Sequence, residues 1–309
     1  MATLDFGLML RHNDPSFSIA ELIAYNRSCI EALSSGFTTL WLEDHMQAGA
    51  TDALESLTTL SYLAAAYPRF YIGNLVLSQS YRNPALLAKM FANLHALTGG
   101  RAILGTGAGW KEDEYRAYGY PFSDGPTRLR QLRDAVQILL AMWTQPEAVF
   151  EGHYHQVHGA INQPKGVQKP HIPLLIGGGG EQVTLKLVAQ YGDACNIGHL
   201  DNAGLERKFA ILKQHCTDLG RNYQDIRRTV LFNCAIADTD EAAMAKSTHF
   251  ARNIPSGRLR EQSLIGTPDT IRRRLAEIEQ AGAQEVIVFM PDSAQLDVVR
   301  LFAKECITR

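Results

Sequence analysis

Short apolar runs alternate along this chain with longer stretches in which apolar positions recur every three or four residues. The first short run covers 4–10. The stretch 18–35 follows it with Ile19, Leu22, Ile23, Ile30 and Leu33 at helical spacing. Ser18 reads as the N-cap of that helix and Gly36 as its C′ glycine. The same alternation predicts strands over 38–42, 70–77 and 102–106, and helices over 54–66, 84–97 and 127–143. In the second half, strands fall at 173–176, 193–197, 228–237 and 285–289, with helices over 182–190, 205–219, 241–251 and 294–305. A further helix opens at Thr267-Pro268, threonine capping and proline at the first helical position, and stops at Gly282.

Eight strands, each followed by a helix, imply a parallel sheet with right-handed crossovers. Eight such units in 309 residues favour a closed (β/α)8 TIM barrel over an open doubly wound sheet, as one domain over 1–309. Two stretches fall outside the repeat. Residues 146–173 hold Glu151-Gly152-His153-Tyr154-His155, which reads as a hairpin inserted before strand five. Residues 250–266, after strand seven and its helix, are polar, with Arg252, Arg258 and Arg260 and with Pro255, Ser256 and Gly257 opposing helix formation. They read as a mobile lid. Arg258 and Arg260, two apart in an extended segment, would point one way toward carboxylates of a ligand.

Composition narrows the class. Hydrophobic residues make up 46% and charged residues 20% of the chain, an ordinary globular balance. A net charge of −2 gives no bulk attraction to nucleic acid or to a membrane surface. No apolar run approaches the length of a membrane span. The opening MATLDFGLML lacks the basic-then-apolar order of a secretion signal. Cys29, Cys195, Cys216, Cys234 and Cys306 are scattered, never paired as Cys-x-x-Cys, and read as small buried hydrophobes in a cytoplasmic protein. His153-x-His155-x-x-His158 has no carboxylate or cysteine at ligand spacing in the same hairpin, so no metal site is assigned.

In a barrel, chemistry gathers where strands end and βα loops begin. Those ends carry Asp44-His45 after strand two and Asn74-Leu75-Val76 late in strand three. Gly105-Thr106-Gly107-Ala108-Gly109-Trp110 follows strand four, and Gly177, Gly178, Gly179 and Gly180 follow strand five. Four glycines ahead of a helix expose N–H groups to an anion such as phosphate; the alternative is a tight turn needing positive φ. They match neither the Rossmann fingerprint nor the P-loop. The glycines of 105–109 either admit a planar ligand or relieve crowding at the barrel rim. His45 is the candidate proton carrier, with Asp44 fixing its tautomer.

At these residues the sequence resembles the luciferase-like monooxygenase superfamily, and within it the branch that uses the deazaflavin coenzyme F420. The resemblance rests on GFTTLWLEDHM (36–46), YRNPALLAKMFANLHALTGGRAILGTGAGWKEDEY (81–115), IPLLIGGGGEQVTLKLVAQYGDACN (172–196) and GTPDTIRRRLAEIEQAGAQEVIVF (266–289). It implies a ring lying over the strand ends near Asp44 and His45, backed by Asn74 and by a bulge at Leu75-Val76, often with a non-proline cis peptide. Gly107, Ala108, Gly109 and Trp110 would border the ring, and Gly177 to Gly180 would hold the phosphate. Trp110 stands where some sugar-phosphate dehydrogenases of the branch carry a glutamate proposed as an acid, so a sugar phosphate is not the expected substrate. The implied activity is hydride transfer between F420 and a small organic substrate, by a homodimer. An FMN-dependent two-component monooxygenase and a catalytically silent flavin-binding barrel are the alternatives.

Overall fold

In a computed structural model, which describes residues 4–247, 254–291 and 296–307, the alternation closes on itself. The chain runs β1 (Asp5–Met9), α1 (Ile19–Glu31), β2 (Phe37–Leu42), α2 (Ser56–Ala66), β3 (Tyr71–Asn74), β4 (Leu77–Ser78), α3 (Pro84–Leu97) and β5 (Ala102–Gly107). Then come α4 (Glu112–Ala117), α5 (Gly125–Thr144), β6 (Ala148–Glu151), β7 (Gln156–Ala160), β8 (Leu174–Gly177), α6 (Thr184–Tyr191), β9 (Ala194–Gly198) and α7 (Asn202–Asp218). The last third holds β10 (Arg227–Ile236), α8 (Asp240–Lys246), β11 (Leu264–Gly266), α9 (Pro268–Gln280), β12 (Glu285–Phe289) and α10 (Leu296–Glu305). Strands β1, β2, β3, β5, β8, β9, β10 and β12 pair in that order, all parallel, and β12 returns to β1. This is the expected (β/α)8 barrel.

Strand residues alternate between two cores, as a pleat requires. Leu8, Leu40 and Ile72 are level across three strands and belong to the large core that includes the helices' buried faces. Their neighbours Met9 and Trp41 instead form a smaller cluster with Leu175, Ala194 and Ile287. The Trp41 indole occupies the space that a side chain at Gly73 would need, so that glycine serves packing. A fully buried side chain of the size of Leu40 or Leu60 is worth roughly 1.5–3 kcal/mol.

Local signals set several boundaries. Ser18 accepts from the N–H of Glu21 while Glu21 accepts from the N–H of Ser18, a complete capping box. Thr267 caps α9, with Pro268 at its first position. Residues 146–173 contain the expected hairpin, β6 against β7.

Other expectations need correction. α1 ends at Glu31, so Gly36 is not its C′ residue; a Cβ there would collide with the Ile307 side chain. The third strand is broken between β3 and β4 by a cis peptide at Leu75–Val76, the feature the resemblance implied. α4 was not predicted, because EDEYRA has too few apolar residues to show a period. Of the expected lid, 250–253 lie outside the described residues. Ile254 and Leu259 are buried, Ser256–Arg258 form a 3-10 turn, and β11 joins the sheet edge against β10. Arg258 therefore does not lie in an extended segment with Arg260; it pairs with Asp201 at the start of α7.

The histidines of the hairpin have separate surroundings. The His153 ring packs edge-on to Tyr154, and His158 lies 2.8 Å from Glu151 on the surface. Among the described residues, no group of three or more His, Cys, Asp or Glu side chains could hold a metal ion. All five cysteines are buried and unpaired, and no described helix is long and apolar enough to cross a membrane.

Candidate active site

The carboxyl ends of β2, β3, β5, β8 and β9 surround a cleft of about 380 Å³. Asp44, His45, Leu75, Val76, Gly107 to Trp110 and Gly177 to Gly180 all line it, so nearly every residue singled out in the sequence meets here. Asn74 does not. It is fully buried behind the wall, where its amide donates to Ser56 Oγ at 2.6 Å.

His45 is mostly buried, its edge facing the exposed ring of Trp110. Its Nδ1 lies 3.0 Å from Oε1 of Glu114, a side chain with no solvent exposure. Glu114 also accepts from Lys111 Nζ at 2.8 Å and from the Tyr81 hydroxyl at 3.0 Å. Burial first, and then the charge of Glu114, hold the Tyr81 phenol well above its ordinary range. Asp44 has other business. Its carboxylate takes both ends of the Arg82 guanidinium at 2.9 Å and the N–H of Ser78 at 2.9 Å, fixing the loop after β4. The residue set against His45 Nδ1 is thus Glu114 and not Asp44, whose carboxylate is taken by Arg82 and Ser78.

Glu43 also lines the cleft, and its carboxylate is 3.2 Å from His12 Nδ1 at the end of β1. Burial would raise this carboxyl. His12, His45 and His199 around it outweigh burial and hold it below the ordinary carboxylate range. His199, just past β9, has φ of 55°, and burial pushes its imidazole below the usual histidine value. Three imidazoles thus surround the Glu43 carboxylate beside the cleft.

The glycines divide by role. Gly107 and Gly177 give way to Val76: a Cβ at either would come within 2.8 Å of that side chain. Gly178 has φ of +119°, which disfavours any other residue. Gly179 has open space; a Cβ there would meet nothing closer than Lys208 Cε at 3.7 Å. α6 starts beyond the run, at Thr184, with no side chain capping its first N–H groups, and Thr184 lines the cleft. Glu181, next in the loop, is drawn down to about 2 by Arg207 and Lys208 of α7, at 3.0 and 2.8 Å. These backbone donors suit a phosphate, and the apolar Leu75, Val76 and Ala108 suit a flat ring, so the cleft fits a phosphorylated flavin-like coenzyme.

Sequence reasoning missed Ser78, Tyr81, Lys111, Glu114, Thr184 and Asn196 in this lining or behind it. The available signal was position: Lys111 and the acidic run 112–114 lie in the βα segment after strand four, at the face where barrel chemistry gathers.

Residues 5–259 match the luciferase-like monooxygenase family. An F420-dependent glucose-6-phosphate dehydrogenase of Kineococcus radiotolerans is 31% identical over 227 residues, covering 72% of this chain and 66% of that protein. A protein of the same name from Intrasporangium calvum is 32% identical over 185 residues, covering 58% and 53%. The chain spans less than two thirds of the length of these two curated relatives. In shape it is similar to an F420-dependent secondary alcohol dehydrogenase solved with an F420-acetone adduct, with a TM-score of 0.83 at 17% identity over 98% of both chains. With the family match running over most of its length and the barrel closed as described, this chain belongs to the luciferase-like monooxygenase family.

Proposed function

We propose that the chain is an oxidoreductase that uses coenzyme F420 to exchange a hydride with a small organic substrate, His45 carrying the accompanying proton. One observation carries the reading: the cleft joins a buried-carboxylate-backed histidine at one end to a glycine cradle with an uncapped helix start at the other. The names of the curated relatives support the choice of coenzyme. When bound, the deazaflavin supplies the two-electron chemistry. The N–H groups of Gly178 to Gly180 and the Thr184 hydroxyl would hold its phosphate. Leu75, Val76 and Ala108 would support the ring and exclude water from it, with Trp110 at the rim. With Nδ1 engaged by Glu114, His45 has Nε2 left to meet a substrate hydroxyl or carbonyl. The proposed assembly is a homodimer in a reducing cytoplasm that keeps the buried thiols free; light scattering on the purified protein checks the assembly.

Calorimetric titration with F420 and with FMN tests the reading. F420 is expected to bind, and more tightly than FMN; absence of F420 binding overturns the proposal. Oxygen uptake with reduced FMN would instead identify a two-component monooxygenase. Binding of F420 with no turnover of any alcohol or carbonyl compound would mark a silent binding barrel.

A further inference from the structure

His45 does not stand alone at its end of the cleft; it closes a chain of four polar side chains that leads outward. The Glu114 carboxylate, wholly excluded from solvent, receives His45 Nδ1 at 3.0 Å, Lys111 Nζ at 2.8 Å and the Tyr81 hydroxyl at 3.0 Å. Lys111 is a quarter exposed and is tied further to the Gln47 carbonyl at 3.2 Å. We propose that Glu114 is the positioning residue that fixes His45 as its Nδ1–H tautomer, and that Lys111 is the counter-charge that keeps His45 able to release the proton it takes. This rests on the reading of His45 as proton carrier and adds the groups that set its behaviour.

The chemistry follows from what each group can do. An ionised carboxylate only accepts, so a neutral imidazole facing it must donate from Nδ1, which leaves the Nε2 lone pair toward the cleft. A bare carboxylate against His45 would hold the imidazolium too firmly for the proton to leave again. Lys111 sits on the same oxygen, Oε1, and cancels much of that charge. Tyr81 takes the other oxygen, Oε2, so both are fixed and Glu114 cannot rotate away from His45. F420, when bound, would supply the two-electron chemistry, and in oxidation of an alcohol His45 Nε2 would take the substrate's O–H proton. The carbonyl product departs and the imidazolium returns its proton to water. The other charged groups near His45 are Glu43, which is paired with His12, and His12 itself, whose ring centre is 5.2 Å away. Asp44 is neutralised by Arg82, and Asp113 lies 4.0 Å from Lys111. None of these touches Glu114 in place of Lys111.

The two partners carry opposite charges, so removing them must move His45 in opposite directions. A merely structural role for either residue would not do this. Nitrogen-15 NMR of the coenzyme-free protein, with the His45 signals assigned by loss in His45→Gln, reads the tautomer and the pH at which the ring titrates. The wild type should show protonated Nδ1. Glu114→Gln should lower the titration midpoint and weaken the tautomer preference, and Lys111→Met should raise the midpoint, each by about one pH unit or more. Shifts of the same sign, or a wild-type Nε2–H tautomer, overturn the proposal. Should Glu114→Gln fail to fold, the sign of the Lys111→Met shift and retention of the tautomer in Glu114→Asp decide it. Loss of F420 binding in the wild type would sink the coenzyme reading while leaving this measurement intact.

Discussion

Both ends of the barrel bury a glutamate among hydrogen-bond donors, yet only one of the two lies beside the cleft. At the amino-terminal end Glu285 opens β12 and is almost wholly buried. Its Oε1 accepts from Thr39 Oγ1 and from Trp41 Nε1 at 3.3 Å, and Oε2 accepts from Arg227 Nε at 2.9 Å. Arg227 continues to Asp5 at 2.8 Å. Every donor there sits on a strand of the ring, and the partly exposed Arg227 and Asp5 carry the network to the protein surface. At the carboxyl end Glu114 has as many donors, but they come from loops and from the edge of α4, and all three, His45, Tyr81 and Lys111, line the cleft. A network held between strands stabilises the ring; one whose donors line a cleft also meets whatever the cleft holds.

The largest expected effect isolates the cleft end. His45→Ala should cut turnover on the order of 10²-fold while leaving the unfolding midpoint in urea unchanged. Wild-type rates in that variant would return His45 to a packing role. Next comes the glycine cradle. Gly179→Val, at a position with room for a side chain, should weaken coenzyme binding by about 1.5–3 kcal/mol, roughly tenfold or more, with little loss of stability. Gly178→Val adds backbone strain at φ +119° and should lower stability as well, so the pair separates blocked approach from a damaged fold. Calorimetry and urea unfolding on both variants make the distinction.

The amino-terminal end should give the reverse pattern. Glu285→Ala is expected to cost about 1–3 kcal/mol of stability, through the unpaired Thr39, Trp41 and Arg227 donors, and to leave coenzyme affinity near wild type. Equal damage to affinity would show that the two ends are not independent. The smallest effect is in pH. Because burial depresses the His199 imidazole in the folded protein, the unfolded chain binds protons more readily below the ordinary value of 6.5. Its contribution to stability is therefore present above pH 6.5 and is lost as the pH falls through the depressed folded value. Thermal unfolding between pH 7 and 5 should show a decline that His199→Gln makes shallower.

What could be read ahead of the structure divides along the same line. Strand positions were legible because alternate burial leaves a two-residue period, and the βα ends then located His45 and the glycines. The closeness of Val76 to Gly107 and Gly177 was not legible as packing, since it depends on three strands meeting around a break in β3. Adjacency in the chain suggests Asp44 as the partner of His45, but Arg82 and the Ser78 N–H, distant in sequence, claim its carboxylate. Glu114 was passed over for a different reason. A charged six-residue helix reads as a solvated surface, and only the position where α4 lands on the barrel buries one of its carboxylates.

The three tryptophans are placed so that the protein reports on itself. Trp41 and Trp143 are buried, whereas Trp110 is 71% exposed at the rim of the cleft. Iodide in solution should therefore extinguish one emitter and spare the other two, removing the long-wavelength part of the indole emission. A molecule seated in the cleft would shield that same indole. The fraction of light open to iodide then becomes an occupancy gauge for the cleft, without a label and without knowledge of the occupant.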